Sequence, residues 1–190
     1  MKNSKTKVMT ECAILVALST VLSFVKIWNM PWGGSITLFS MLPVCYVSIR
    51  HGIKWGFFTS FLYAIIQLFL GITVDGLLGW GLTGGILVAC IFLDYIMAFS
   101  ALGFSGIFAG KGFVGVMTGT AMAIALRFVC HILSGVYVFA SVGKLWEGFE
   151  TTNTWIYSIV YNSCYMLPEL VITILGAAIV YKALDDRRIL

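Results

Sequence analysis

Six runs of this chain are apolar over helix-like lengths, near 9–28, 36–50, 53–72, 84–107, 114–142 and 154–183. A bilayer crossing takes about 20 such residues. Three of the runs nonetheless carry polar groups that a lipid-facing helix does not tolerate. The fourth holds Leu93-Asp94-Tyr95, the fifth Arg127, His131 and Ser134-Gly135, and the sixth Tyr157-Ser158 and Tyr161-Asn162. Polar and ionisable groups at membrane depth are costly, so they face a cavity and mark a substrate site. The pattern predicts an all-α integral membrane protein of six transmembrane helices with an internal polar pocket. Composition agrees: 60% hydrophobic and 11% charged residues in a chain of 190 is more apolar surface than a soluble domain can hide. A single membrane-embedded domain, 1–190, accounts for the chain, and no phosphate loop or dinucleotide fingerprint occurs in it.

Charge predicts the orientation. Lys2, Lys5 and Lys7 precede the first run, Arg50 and Lys54 lie between the second and third, Lys111 between the fourth and fifth, and Lys182, Arg187 and Arg188 close the chain. The alternate loops carry Asp75, Glu147 and Glu150 against Lys144, with Lys26 near a helix end. Basic loops stay inside, so both termini are expected in the cytoplasm, the protein in the cell membrane and the pocket in the outer half. The net charge of +4 is thereby an orientation signal and not a nucleic-acid footprint. The first run is too long for a signal-peptide core and reads as an uncleaved helix. Cys12, Cys45, Cys90, Cys130 and Cys164 are scattered, show neither metal-ligand nor disulfide spacing, and read as small apolar core residues.

Counting inward at about 1.5 Å per residue places Asp94 roughly 14 Å, Asn162 about 12 Å and His131 about 17 Å from the outer ends of their runs. Three polar groups from three helices therefore converge at similar depth. On the fifth run Arg127, His131 and Ser134/Gly135 share a face; on the sixth Ser158, Asn162, Tyr165 and Glu169 do. Asp94 and Asn162 read as ligand contacts, Arg127 and Glu169 as an interhelical ion pair closing the pocket floor. His131 fits either a ligand contact or a bonded core residue. The loop Trp28-Asn29-Met30-Pro31-Trp32-Gly33-Gly34-Ser35 reads equally as a lid or as part of an aromatic belt, whereas Trp55, Trp80, Trp146 and Trp155 read as belt. Ala13 and Ala17 form a small-xxx-small pair that lets another helix approach closely.

Taken in order, these pieces resemble the thiamine-specific S-components of energy-coupling-factor vitamin transporters, the ThiT/YuaJ family. The pieces are Gly33-Gly34-Ser35 leading to Met41-Leu42-Pro43, Leu93-Asp94-Tyr95 with Ala98-Phe99, Arg127-Phe128 with His131 and Ser134-Gly135, Tyr157 through Asn162, and Pro168-Glu169. The resemblance implies capture of thiamine from outside, with Asp94, Tyr95, His131, Gly135, Phe139, Tyr157, Asn162 and Trp32 around the ligand. Asp94 would face the cation or the pyrimidine, His131 and Asn162 would supply hydrogen bonds, and Gly135 would leave room for a ring. The resemblance also implies a transmembrane coupling protein, contacted through Ala13 and Ala17, and two cytoplasmic ATPases. ATP is then used by the partners alone, and this chain carries no cofactor. Asp94 stands where the family carries glutamate, and Phe139 where it carries tryptophan.

Three rivals remain at this point. Gly103-Phe104-Ser105-Gly106 matches the short rhomboid-protease signature, but Ser105 lies about 30 Å down its helix, far from His131. An S-component for a different vitamin is the second, although a neutral or anionic ligand such as biotin or folate would leave Asp94 without a counter-charge. A self-sufficient, proton-coupled carrier working through Asp94, Glu169 and His131 lacks the internal repeat many such carriers show.

Overall fold

The computed structural model describes residues 5–30 and 33–185, so Lys2, Trp32, Arg187 and Arg188 lie outside the described residues. The chain is built almost wholly of helix: α1 (Lys5–Ser23), α2 (Leu42–His51), α3 (Ile53–Thr73), α4 (Gly84–Cys90), the single turn α5 (Ala98–Ser100), α6 (Gly112–Ser134) and α7 (Thr154–Asp185). A π-helical segment, Ile91–Met97, joins α4 to α5, and a 3₁₀ segment, Ala101–Gly106, follows. A second π segment, Gly135–Phe139, extends α6. Four helical stretches are long and apolar enough to cross a bilayer: Lys5–Ser23, Ile53–Thr73, Gly84–Phe139 and Thr154–Ala183. The third runs for 56 residues, but it turns at residues 107–108 and folds back, so that Asp94 meets His131 across the turn.

Burial follows the bilayer's logic. Phe69, Val88, Val114, Leu175 and Ile179 face outward with more than half their surface exposed, while Ser48, Ser60, Thr120, Ser134 and Thr173 are buried. Apolar surface outside and polar groups inside is the arrangement of a membrane protein, whose surroundings are as apolar as its core. The interior packs around Met41, Val44, Tyr63, Phe99, Leu102, Ile124, Tyr161, Tyr165 and Met166. Close helix approach rests on glycine at the points of contact. Ser48 Oγ donates to the Gly103 carbonyl at 2.5 Å and accepts from the Gly106 amide at 3.0 Å. A Cβ on Gly106 would land on the Ser48 backbone. Gly106→Ala is expected to destabilise the detergent-solubilised protein by about 1–3 kcal/mol, as overpacking does. Thermal unfolding checks it; an unchanged midpoint would mean that this contact is not close-packed.

The second expected span is corrected. It begins as a strand, β2 (Ser35–Thr37), and is helical only from Leu42. Pro43 is the cause: in the first turn of α2 its missing N–H costs nothing, whereas a helix begun at 36 would carry it as an interior break. At ten residues α2 is about 15 Å long, half a bilayer crossing. The first span likewise ends earlier than expected, at Ser23, because Lys26–Asn29 forms β1 and pairs antiparallel with β2. A second hairpin, β3 (Gly143–Trp146) with β4 (Phe149–Thr151), caps the same end of the molecule. Lys26 Nζ reaches Asp75 Oδ1 at 2.9 Å there. At the opposite end Glu11 meets His51 at 3.0 Å and Arg50 at 3.5 Å, and Lys182 lies against Phe113 near Lys111.

Candidate functional site

A cavity of about 620 Å³ opens among α3, the π-helical segment Ile91–Met97, α6, α7 and the β1–β2 hairpin. That volume suits a drug-sized ligand. Its wall contains Asp94, Tyr95, His131, Gly135, Phe139, Tyr157 and Asn162, all expected from the sequence, and adds Asn29, Tyr63, Gln67, Trp80, Arg127 and Glu169. Both π segments contribute: Asp94 and Tyr95 sit in the first, Gly135 and Phe139 in the second. A π turn inserts a residue and re-aims the side chains around it, which is why such turns recur at functional sites.

Asp94 is held from both sides. Its Oδ1 accepts from His131 Nδ1 at 2.8 Å; its Oδ2 accepts from Ser134 Oγ and, more weakly, from Cys90 Sγ at 3.5 Å. Arg127 Nε lies 3.2 Å from His131 Nε2. Arginine can only donate, so Nε2 accepts and the imidazole proton is on Nδ1, aimed at the carboxylate. The arrangement makes His131 a neutral bridge between a cation and an anion, and the remaining lone pairs of Asp94 line the cavity. Ser134, one turn from His131 and on the same face, thereby joins the site residues.

Asn162 is equally fixed. Its amide donates to the Ser158 carbonyl at 2.8 Å and to the His131 carbonyl at 3.3 Å, and its Oδ1 accepts from Tyr165 at 2.5 Å. Ser158 Oγ in turn donates to the Ile132 carbonyl at 2.8 Å, tying α7 to α6. Gly135 is required at this crossing: a Cβ there would run into Ser158 Oγ and come within 3.4 Å of Asn162 Nδ2. Aromatic rings form the remaining wall. Tyr157 and Tyr161 stack at 6.2 Å and 10°, and Trp80 lies 6.0 Å from Phe139. Trp80, expected in an interfacial belt, is therefore a cavity residue; the turn at Leu77–Gly79 brings it inward, a placement that hydropathy does not encode. Gln67, the one side-chain amide of α3, was the available signal for that helix.

The loop between β1 and β2 also lines the cavity, through Asn29, Met30, Gly33 and Gly34. Tyr161 donates to the Gly33 carbonyl at 2.9 Å. Gly34, at φ +86°, lies so close to the Tyr165 ring that a Cβ would overlap it. Trp32 is outside the described residues.

The expected ion pair is not formed, and this is a second correction. Arg127 instead sits 4.1 Å over the Phe99 ring and places Nη1 2.6 Å from Met41 Sδ. Glu169 Oε1 accepts from both the backbone N–H and the hydroxyl of Thr37, at 2.5 and 2.6 Å. Helical spacing put both residues on inward faces; β2 then supplied donors closer to the carboxylate than the guanidinium is. Ser105 donates to the Leu102 carbonyl at 2.7 Å, while His131 is engaged by Asp94 and His51 by Glu11. The serine–histidine pair of a protease is thus absent among the described residues. Ala13 and Ala17 lie on the exposed face of α1, opposite Val8, Cys12, Val16 and Ser19, which pack inward.

Comparison with known proteins places these features in one family. The family model for the thiamine transporter protein (Thia_YuaJ) matches residues 9–188. Thiamine transporter ThiT of Bacillus subtilis (strain 168) is 33% identical over 176 residues, covering 85% of this chain and 83% of the relative. ThiT of Lacticaseibacillus paracasei is 24% identical over 186 residues, covering 88% and 83%. The solved structure of ThiT from Listeria monocytogenes superposes with a TM-score of 0.74 at 22% identity, over 97% of this chain and 98% of that one, a shared fold.

Proposed function

Since the chain belongs to the Thia_YuaJ thiamine transporter family, a family of transporters and not of enzymes, we propose that it is the membrane subunit that captures thiamine from outside the cell. It delivers the vitamin inward in company with a transmembrane coupling protein and two cytoplasmic ATPases, which alone consume ATP. The observation that carries this reading is the pinned carboxylate of Asp94 in a cavity walled by Tyr95, Phe139, Tyr157 and Tyr161. Thiamine joins a permanent thiazolium cation to a hydrogen-bonding aminopyrimidine. A carboxylate meets the charge or the exocyclic amine, and aromatic faces attract a cation without hydrating it. A neutral or anionic vitamin would leave Asp94 uncompensated in a low-dielectric site.

The chain crosses the membrane six times in this reading, with α2 as a half-length crossing completed by β2. Lys5, Lys7, Arg50, Lys54, Lys111 and Lys182 gather at the end away from the hairpins, so that end is cytoplasmic and the cavity opens outward. The exposed small residues Ala13 and Ala17 give α1 a flat stripe on which a coupling helix packs.

The test is a titration of the purified protein with thiamine, followed by intrinsic tryptophan fluorescence, with riboflavin and biotin as controls. Trp80 in the cavity wall makes saturable quenching by thiamine alone the expected result. A calorimetric titration of folded protein that shows no thiamine binding would overturn the proposal and turn the search to other vitamins.

A further inference from the structure

Lys111 and Lys182 are far apart in sequence, yet the fold brings them to one corner, where α6 begins and α7 ends. Phe113 links them. Its ring packs against Tyr181 with centres 5.6 Å apart, and Lys182 Nζ lies 5.9 Å from its centre. Lys111 Nζ lies 5.3 Å from the centre of the Phe108 ring, in the turn before α6. Beside Lys111, Gly112 comes so near Tyr181 that a Cβ there would sit 3.6 Å from the phenol oxygen. Among the described residues neither ammonium meets a carboxylate, and the Tyr181 hydroxyl meets no acceptor. In the sequence, Asp185 and Asp186 are followed by Arg187 and Arg188, so the end of the chain adds no net charge here.

An aromatic face orients an ammonium but takes none of its protons. Each lysine therefore keeps three N–H donors, and the phenol adds a fourth kind of contact, an O–H. Donors from both helices without an acceptor of their own make a place for an anion. The surface next to them decides which anion. Val171, Leu175 and Ile179, each more than half exposed, share one face of α7 with Lys182. From Lys182 to Val171 is about 16 Å along the helix, close to one leaflet of a hydrocarbon core roughly 30 Å thick. A soluble anion uses only the corner. A phospholipid uses both parts, its phosphate on the donors and an acyl chain along the apolar stripe. A zwitterionic headgroup carries its own cation, which two lysines repel. The corner is also clear of the Ala13/Ala17 stripe, since α1 packs on α2 and α3 whereas α6 and α7 pack on each other.

We propose that Lys111, Lys182 and Tyr181 form a headgroup site for an anionic phospholipid at the α6–α7 corner. Basic corners between transmembrane helices on the cytoplasmic side suit such headgroups. The site rests on the reading of that end as cytoplasmic; the test is made in detergent, where sidedness does not enter.

Native mass spectrometry of the detergent-solubilised protein measures retention of dioleoyl phosphatidylglycerol against dioleoyl phosphatidylcholine. The wild type is expected to prefer the anionic lipid by roughly tenfold or more, as two lysines at a membrane surface imply. Lys182→Gln should reduce that preference to about threefold, and Lys111→Gln with Lys182→Gln should remove it. The control, Lys5→Gln with Lys54→Gln, removes the same charge from the same end and should keep the wild-type preference. Equal retention of the two lipids by the wild type overturns the site. A control that loses as much preference as the double variant also overturns it, because net charge alone then governs binding. Displacement of the lipid by millimolar inorganic phosphate would show a site for soluble anions and overturn the lipid assignment. Should the double variant not fold, the single variant decides: an undiminished preference in Lys182→Gln overturns the proposal.

Discussion

Asp94→Asn weakens thiamine binding by an expected factor on the order of 10² to 10³, the largest effect of any conservative change in this cavity. The figure follows from the cost of removing one member of a buried charge pair, about 3–5 kcal/mol. In the unliganded protein Asp94 faces a neutral histidine, Ser134 and Cys90, so its full negative charge is held in reserve for the ligand. Asparagine keeps an acceptor for His131 Nδ1 but turns an amide N–H₂ toward Ser134 Oγ and the cavity. The counter-charge is lost, and a donor now stands where an acceptor is needed. Calorimetry on protein of unchanged melting temperature measures the effect. The comparison with Glu169→Gln is decisive, because that carboxylate is bonded to Thr37 and its neutralisation is expected to cost affinity no more than about tenfold. Equal losses at the two positions would show that the cavity does not divide its carboxylates into one for the ligand and one for the fold.

Gly135→Val should abolish measurable thiamine binding while leaving a folded protein. The added Cβ meets Ser158 Oγ, and the branched methyl groups fill the space beside Asn162. Ser158 cannot yield freely, because it donates to the Ile132 carbonyl and so fixes the crossing of α6 and α7. Two costs are therefore expected together: an overpacking penalty of about 1–3 kcal/mol in stability, and displacement of the Asn162 amide from the cavity wall. Gly135→Ala should show the same direction with a smaller loss. Monodisperse protein with a lowered unfolding midpoint and no thiamine heat is the expected result; wild-type affinity in the valine variant would mean that α6 and α7 separate easily and that the crossing does not shape the site.

How far the sequence could reach is visible residue by residue. It determined the class of fold, because the length of an apolar run and the cost of a polar group in hydrocarbon are both local quantities. Asp94, His131 and Asn162 could be named as cavity residues for that reason, helical periodicity put His131 and Asn162 on inward faces, and Gly135 and Tyr157 followed from the family resemblance. The short α2 was legible in principle too, since Pro43 announces where a helix may begin.

What the sequence left open is who bonds to whom. Arg127 and Glu169 share a depth and an inward face, yet the hairpin brings Thr37 to one and the packing of α6 brings Phe99 to the other. Trp80 turns into the cavity because a 3₁₀ turn precedes it, and Ser134 clasps Asp94 where the end of α6 meets the π segment Ile91–Met97. Hydrogen bonds form or fail over a few tenths of an ångström and a few tens of degrees. Hydropathy and period fix a side chain's face only to within a broad sector. Burial is thus written in the sequence, while partnership is decided by the tertiary fold.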